Sequence, residues 1–370
     1  TSGRSAGPAT RGTERLSGDP VDWELARKVA VRVAGREPFR ADHHRAGIED
    51  DFAEFTARAE DLVADCTGLR SLDGNARGRV TSRQGWIDAN VASFQRLLRP
   101  ITDKLGEKMD GPTAGLARRF AGAELGVMLG WMSTRVLGQY DLLVIEEENP
   151  ADQDIVYYVA PNVVSLERRY AFPPREFRLW LALHEVTHRA QFTGVPWMRE
   201  HFLGLVESTM ESVDPDPQRF MAALQRVLEA RRRGEDPLAS GGMMALFASE
   251  EQLAVIHEIA GLMSLLEGHG DVTMDRAGEG LVPSAERFGR VLRQRRQTAG
   301  GFAKVFQRLA GFDAKIKQYA EGEQFIAAVE RHGGATLLDQ AWGDPANVPS
   351  IEEIRTPKLW IDRVGAGAAA

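Results

Sequence analysis

Apolar positions recur at helical spacing along most of the chain, and only one stretch alternates or runs in the manner of strands. The spacing predicts a first helix over Trp23 to Val33, within Val21 to Ala34. A second runs from Gly47 to about Cys66, with Ile48, Phe52, Phe55, Ala59 and Leu62 on one face. Gly68 to Arg79 reads as a loop rich in Gly and Arg. Arg83 to Leu98 then forms a third helix carrying Trp86, Ile87, Val91, Phe94 and Leu97, with Pro100 just beyond it. Ala114 to Leu137 is again helical and places Gly122, Gly126 and Gly130 at every fourth position. Such a stripe lets a second helix approach closely. Arg118, Arg119 and Glu124 argue against a membrane span.

The pattern then changes. Asp141 to Glu146 and Ile155 to Val159 are β-branched and aromatic runs separated by the turn cluster Asn149-Pro150-Ala151-Asp152, which predicts a hairpin. The strand through Val156 could offer an edge to an extended peptide, or merely cover one side of the core. Immediately after it, Pro173 to Gly194 reads as one helix with both ends marked. Prolines and Glu176 suit its first turn, while Gly194 and Pro196 stop it. Pro196 to Val213 continues as a short helical piece until Asp214-Pro215-Asp216-Pro217 breaks it, and Gln218 to Arg232 forms the next helix. Arg231 to Pro237 is a solvated loop, and Ser249 to Asp275 a long helix. Arg287, Arg290, Arg293, Arg295 and Arg296 form a basic segment whose charges are read as paired or solvated. Several prolines between Trp342 and Trp360 suggest a tail that wraps the surface. No internal repeat is visible. The expected class is mainly α, with a small β-hairpin beside the helix at 173–194.

Composition narrows the functions. At 370 residues, 43% hydrophobic and 27% charged, the chain can bury a large core as a globular protein. A net charge of −7 argues against a nucleic-acid partner. Cys66 is the only cysteine, so an internal disulfide is impossible and a cytoplasmic location is the simpler expectation. No apolar run approaches membrane-spanning length. Residues 1–20 lack an apolar segment and read as a disordered tail.

The helix at 173–194 holds His184-Glu185-Val186-Thr187-His188, the H-E-x-x-H pattern of zinc hydrolases. Residues four apart lie one above the other on a helix, so both imidazoles can reach one ion. Glu185 projects about 100° away, beside the metal rather than on it, where it can take a proton from water activated there. The bland alternative is that Phe177, Leu181, His184, His188 and Phe192 are simply one buried face.

A catalytic zinc takes three protein ligands. The best neighbourhood for the third is the apolar helix that abruptly places Glu267, His269 and Asp271 within five residues, because a buried ionisable group is costly unless paired or metal-bound. Glu267 shares the face of Met263, Asp271 and Met274. Asp271, one turn away, could hydrogen-bond the far nitrogen of a ligating histidine. His269, on the face of Ile259, Leu262 and Leu266, is the rival ligand.

H-E-x-x-H followed by Glu267-x-x-x-Asp271 resembles the thermolysin-like gluzincin metallopeptidases, and the resemblance implies Glu267 as third ligand with Asp271 supporting a histidine. The whole chain, from about Val21 to Val364, is more similar to a bacterial zincin-like family described as zinc-dependent metalloproteases, one branch of which is associated with deazaflavin-coenzyme biosynthesis. The matching stretches are Val136-Leu137-Gly138-Gln139-Tyr140-Asp141, His184 to His188, Gly194-Val195-Pro196-Trp197, Glu267-Gly268-His269 and Lys317-Gln318-Tyr319. This implies a mainly helical zincin-like fold: a helical region at 21–140 joined to a catalytic region at 141–364 in one compact unit. It also implies one Zn2+ held by His184, His188 and Glu267, with Glu185 as general base. Tyr157, Tyr158, His201 and His269 are open candidates for binding substrate or a developing oxyanion. The substrate class expected first is a peptide. A small amide in a biosynthetic pathway, or a non-catalytic scaffold with a closed four-ligand metal shell, are the alternatives.

Overall fold

The computed structural model of the chain describes residues 19–39, 47–106, 114–142, 154–211, 250–297 and 313–368. The predicted turn at 149–152, the helix at 218–232, the 231–237 loop, the break at 214–217 and nearly all of the 1–20 tail lie outside the described residues. The elements are α1 (Trp23–Ala34), α2 (Ile48–Thr67), β1 (Arg77–Thr81), α3 (Arg83–Gly106), α4 (Ala114–Ser133), β2 (Gly138–Tyr140), β3 (Ile155–Val159), α5 (Ala160–Tyr170), α6 (Pro174–Gly194) and α7 (Met198–Glu211). After these come α8 (Glu250–Ala277), α9 (Ala285–Gln297), α10 (Asp313–Gly343), a 3-10 turn (Pro345–Asn347), α11 (Ile351–Arg355) and α12 (Pro357–Ala368). The class is mainly α with one small sheet.

Helix α6 is the axis of the larger core. A helix apolar on every face belongs inside a protein. Phe177, Leu179, Trp180, Leu181, Ala182, Leu183, Val186, Ala190 and Phe192 are all buried, on every side of it. Two buried arginines bracket its histidines. The Arg178 guanidinium donates to Asp51 of α2 and to both carboxylate oxygens of Glu167 in α5, at 2.7–2.9 Å. Arg189, 1% exposed, donates to Glu60 of α2, to Asp154 and to the Gly74 carbonyl. Asp51 thus meets the start of α6 and Glu60 its end, so α2 and α6 run parallel side by side. Each charge is neutralised where it is buried, which is the condition for burying it at all. On the other side α8 lies antiparallel to α6, because Leu266 sits against Gln191 while Asp271 sits against His184. Helix α10 then covers α8, Gly322 fitting against Ser264 and Gly268, and kinks at Gly334, whose φ of 71° is in the left-handed region.

The sheet differs from the predicted hairpin in three ways. Its first hairpin strand is Gly138–Tyr140 rather than Asp141 to Glu146; Asp141 and Leu142 follow it, and 143–146 lie outside the described residues. A third strand, β1, comes from the segment read as a loop, and pairs parallel with β3 from Arg77↔Ile155 to Thr81↔Val159. The order is therefore β1-β3-β2. This corrects the idea of a peptide-binding edge along Val156: β3 is central, paired on both sides, and all five of its residues are buried. Such a strand reads as a continuous apolar run. Helix α5 follows β3 without a break, with Pro161 in its first turn. The prolines of the C-terminal part introduce the 3-10 turn and two helices rather than an irregular wrap; Ser350 and Glu353 form a capping box on α11, and Trp360 is fully buried.

A smaller core joins α1, α3 and α4 through Trp23, Ala30, Trp86, Ile87, Leu129 and Val159. Here the glycine stripe does what its spacing suggests. A Cβ on Gly122, Gly126 or Gly130 would run into the carbonyl oxygens of Asp22, Ala26 or Ala30 respectively. The two helices therefore pack backbone to backbone, in parallel. Among the described residues no helix is long and apolar enough to cross a membrane.

Candidate metal centre

The i, i+4 spacing on α6 brings His184 Nε2 and His188 Nε2 to 3.2 Å from each other. Glu267, projecting from the antiparallel α8, brings its Oε2 to 3.9 Å from the first and 3.7 Å from the second. The three donor atoms lie within 4.8 Å of one another. Two nitrogens about 2.05 Å from one tetrahedral ion are about 3.3 Å apart, so the donor set fits zinc, with the carboxylate slightly outside that spacing. Among the described residues this is the one group of His, Cys, Asp and Glu close enough to hold an ion. The side chains are about one-sixth exposed, so the centre opens to solvent on one side.

The far nitrogens of the two imidazoles have different neighbours. Asp271 Oδ1 lies 3.5 Å from His184 Nδ1, an electrostatic contact rather than the hydrogen bond expected from the sequence. Gln191 Oε1 lies 3.0 Å from His188 Nδ1, and its Nε2 reaches the Leu266 carbonyl at 2.9 Å and His269 Nδ1 at 3.0 Å. His269 packs edge-on against Trp342 and is buried; burial holds its pKa down to about 3, so its ring is neutral. Burial alone would lower the His188 pKa as well, but Glu267, Glu185, Gln191 and Asp271 together raise it.

Glu185 is where the geometry placed it in the sequence, beside the donors. Burial pushes its pKa up to about 7; the positive field of His188 and a hydrogen bond from the Tyr140 backbone N–H oppose the shift, and Glu267 adds to it. The same strand approaches again two residues further back, since a Cβ on Gly138 would lie 2.6 Å from Glu185 Cγ and Oε1. The ladder explains why β2 serves Glu185. Asp141 N–H donates to Ile155 and Val159 N–H to Leu137, so Leu137, Gln139 and Asp141 turn their amides towards β3. Gly138 and Tyr140 consequently turn theirs outward, along the edge facing Glu185, which no strand pairs among the described residues.

The remaining candidates are engaged elsewhere. The Tyr158 hydroxyl shares a hydrogen bond with Thr56 at 3.0 Å, stacks on Phe52 and has its pKa raised by burial. Tyr157 is buried with the Arg79 guanidinium over its ring. His201 lies edge-on to Trp197, with Nε2 3.7 Å from Glu258 of α8. Gln191 goes unremarked in the sequence, and Gly138 appears there only within a stretch that matches the family. Gln191 was legible in principle, as a polar residue three beyond His188 on an otherwise buried helix.

A mainly helical chain carrying H-E-x-x-H on a buried helix, with a glutamate supplied by an antiparallel neighbour, has the makings of a zincin. The chain belongs to the zincin-like metallopeptidase family, whose model matches residues 21–361. It is also similar to a crystal structure from Chloroflexus aurantiacus described as "a putative hydrolase with a novel fold". The two are 31% identical, with a TM-score of 0.69 over 93% of this chain and 99% of that one. No curated protein matches it.

Proposed function

We propose that the chain is a zinc-dependent hydrolase that cleaves peptide bonds. The observation that carries the reading is the convergence of His184, His188 and Glu267 donor atoms within 4.8 Å, with the Glu185 carboxylate beside them. When bound, the ion supplies Lewis-acid polarisation and makes water acidic enough to be deprotonated near neutral pH. Glu185 takes that proton on its carboxylate and passes it to the leaving nitrogen. Burial raises this carboxylate's pKa to about 7 in the metal-free chain, and a bound cation beside it would favour the ionised, proton-accepting form. The Tyr140 N–H fixes the carboxylate's direction, Gln191 fixes the His188 imidazole, and the Asp271 carboxylate lies beside that of His184.

A peptide substrate is favoured over a small amide by the edge of β2, which no strand pairs among the described residues. The Tyr140 N–H is held by Glu185, but the outward Gly138 N–H and C=O and the Tyr140 C=O run beside the general base, and an extended chain could pair with them. A catalytic rather than closed structural site is supported by His269, whose Nδ1 is committed to Gln191 and so adds no fourth ligand through that atom.

Metal content by mass spectrometry is the first test. About one zinc per chain is expected, lost in His188→Ala. Glu185→Gln should keep the metal and lose at least about 10²-fold in peptide hydrolysis; loss of metal in that variant would mean Glu185 is a ligand instead. Glu267→Ala should lose metal more severely than His269→Ala, and the reverse order would transfer the third ligand to His269.

A further inference from the structure

Gln191 enters the reading above as the group that holds the His188 ring, and its surroundings also determine which way its amide points. The side chain is fully buried. One end lies 2.9 Å from the Leu266 carbonyl oxygen and 3.0 Å from His269 Nδ1; the other lies 3.0 Å from His188 Nδ1. His269 could serve either polarity, since a neutral imidazole nitrogen can donate or accept. The Leu266 carbonyl can only accept. The amide nitrogen must therefore face Leu266 and His269, where its two N–H bonds find two acceptors, and the amide oxygen must face His188.

We infer that Gln191 is a positioning residue that sets the tautomer of His188, with the Leu266 backbone as the fixed reference. Oε1 accepts, so His188 carries its proton on Nδ1 and keeps a lone pair on Nε2. The Asp271 carboxylate lies 3.5 Å from His184 Nδ1, an electrostatic contact rather than a hydrogen bond, so the amide at His188 is the one that fixes a proton. The His188 Nε2 lone pair faces His184 Nε2 at 3.2 Å, placed to accept a proton from it or to bind a cation beside it. His188 is set by a neutral amide, itself anchored to α8, the helix that brings Glu267. The consequence for a metal is that the His188 donor is prepared before it arrives. This inference rests on the reading of His188 as a ligand.

The test separates the two. In metal-free wild type labelled with 15N-histidine, at alkaline pH where the ring is neutral, long-range 15N–1H spectra should show His188 protonated on Nδ1. Gln191→Leu and Gln191→Met keep the volume and remove the acceptor amide; apo melting curves report whether each still folds. Both should mix or reverse the tautomer and weaken zinc binding by about 10- to 100-fold. The same substitution in a His188→Ala background should weaken it no further. A proton on Nε2 in the wild type, or zinc affinity in a folded Gln191→Leu equal to wild type, would overturn the inference. A wild-type His188 with its proton on Nδ1 but no affinity for zinc would uphold it and sink the metal reading instead.

Discussion

Glycine is used at two places in this molecule for opposite ends. Between α1 and α4, Gly122, Gly126 and Gly130 remove side chains so that one helix backbone can lie on another. Around the metal centre, Gly138 and Gly270 remove them so that polar side chains have room: Gly138 beside the Glu185 carboxylate, Gly270 beside the rings of His184 and His188. The first group is repeated and its neighbours are backbone, which cannot move aside. The second group is scattered over a strand and a helix, and its neighbours are functional side chains, which can. A larger residue should therefore cost stability in the first place and chemistry in the second.

Gly126→Leu tests the first half and should have the largest effect. Its Cβ would run into the Ala26 carbonyl and lie 2.8 Å from Val29 Cβ, so the two helices must part or the side chain must strain. Overpacking of this kind costs about 3 kcal/mol, at the upper end of its usual range. The denaturation midpoint should fall accordingly, while the folded fraction keeps its zinc, since the stripe's closest neighbours all belong to the segment entering and forming α1. A variant as stable as wild type would show that the close approach is dispensable.

Gly138→Ala tests the second half. The added methyl would meet Glu185 at 2.6 Å, and the carboxylate would have to leave the position in which Tyr140 holds it. A displacement of about 1 Å at a catalytic group costs about 10²-fold in rate. Alanine is otherwise no worse than glycine in a strand, so midpoint and zinc content should stay near wild type while hydrolysis falls. Equal loss of stability and activity would erase the distinction between the two regions.

The contrast also explains what could be read from the sequence. The stripe was legible because its meaning is periodic: three glycines four apart imply close packing of helices wherever they occur. His184, Glu185 and His188 were legible for the same reason, since helix geometry alone gathers them. Glu267 could be found because a carboxylate in an apolar helix needs a partner. Gly138, Gly270 and β1 could not, because their roles depend on what the fold lays beside them. Arg77-Gly78-Arg79 has exposed, charged character and becomes a strand only by pairing with β3. Asp141 to Glu146 has the β-branched composition of a strand, and 143–146 lie outside the described residues; the described ladder is made by Gly138–Tyr140 with the Asp141 amide, and its glycine is needed to let Glu185 in.

Gly270→Ala is the smallest and most discriminating change, because two effects of opposite sign act on different observables. Gly270 lies inside α8, where alanine favours the helix by about 0.8–1.0 kcal/mol. The new methyl would stand 3.2 Å from His188 Cε1 and 3.3 Å from His184 Cε1, closer than ordinary contact but short of a clash. The rings can yield by a few tenths of an ångström, and Asp271 and Gln191 resist that movement from behind. The metal-free protein should therefore melt no lower than wild type and up to about 1 kcal/mol more stably. Zinc affinity, read by competition with a chromophoric chelator, should fall towards tenfold, at the lower end of what disturbing the groups behind a ligand costs. If affinity and stability rose together, the space beside the two rings would be ordinary helix surface, and the glycines of the metal centre would need no explanation separate from those of α4.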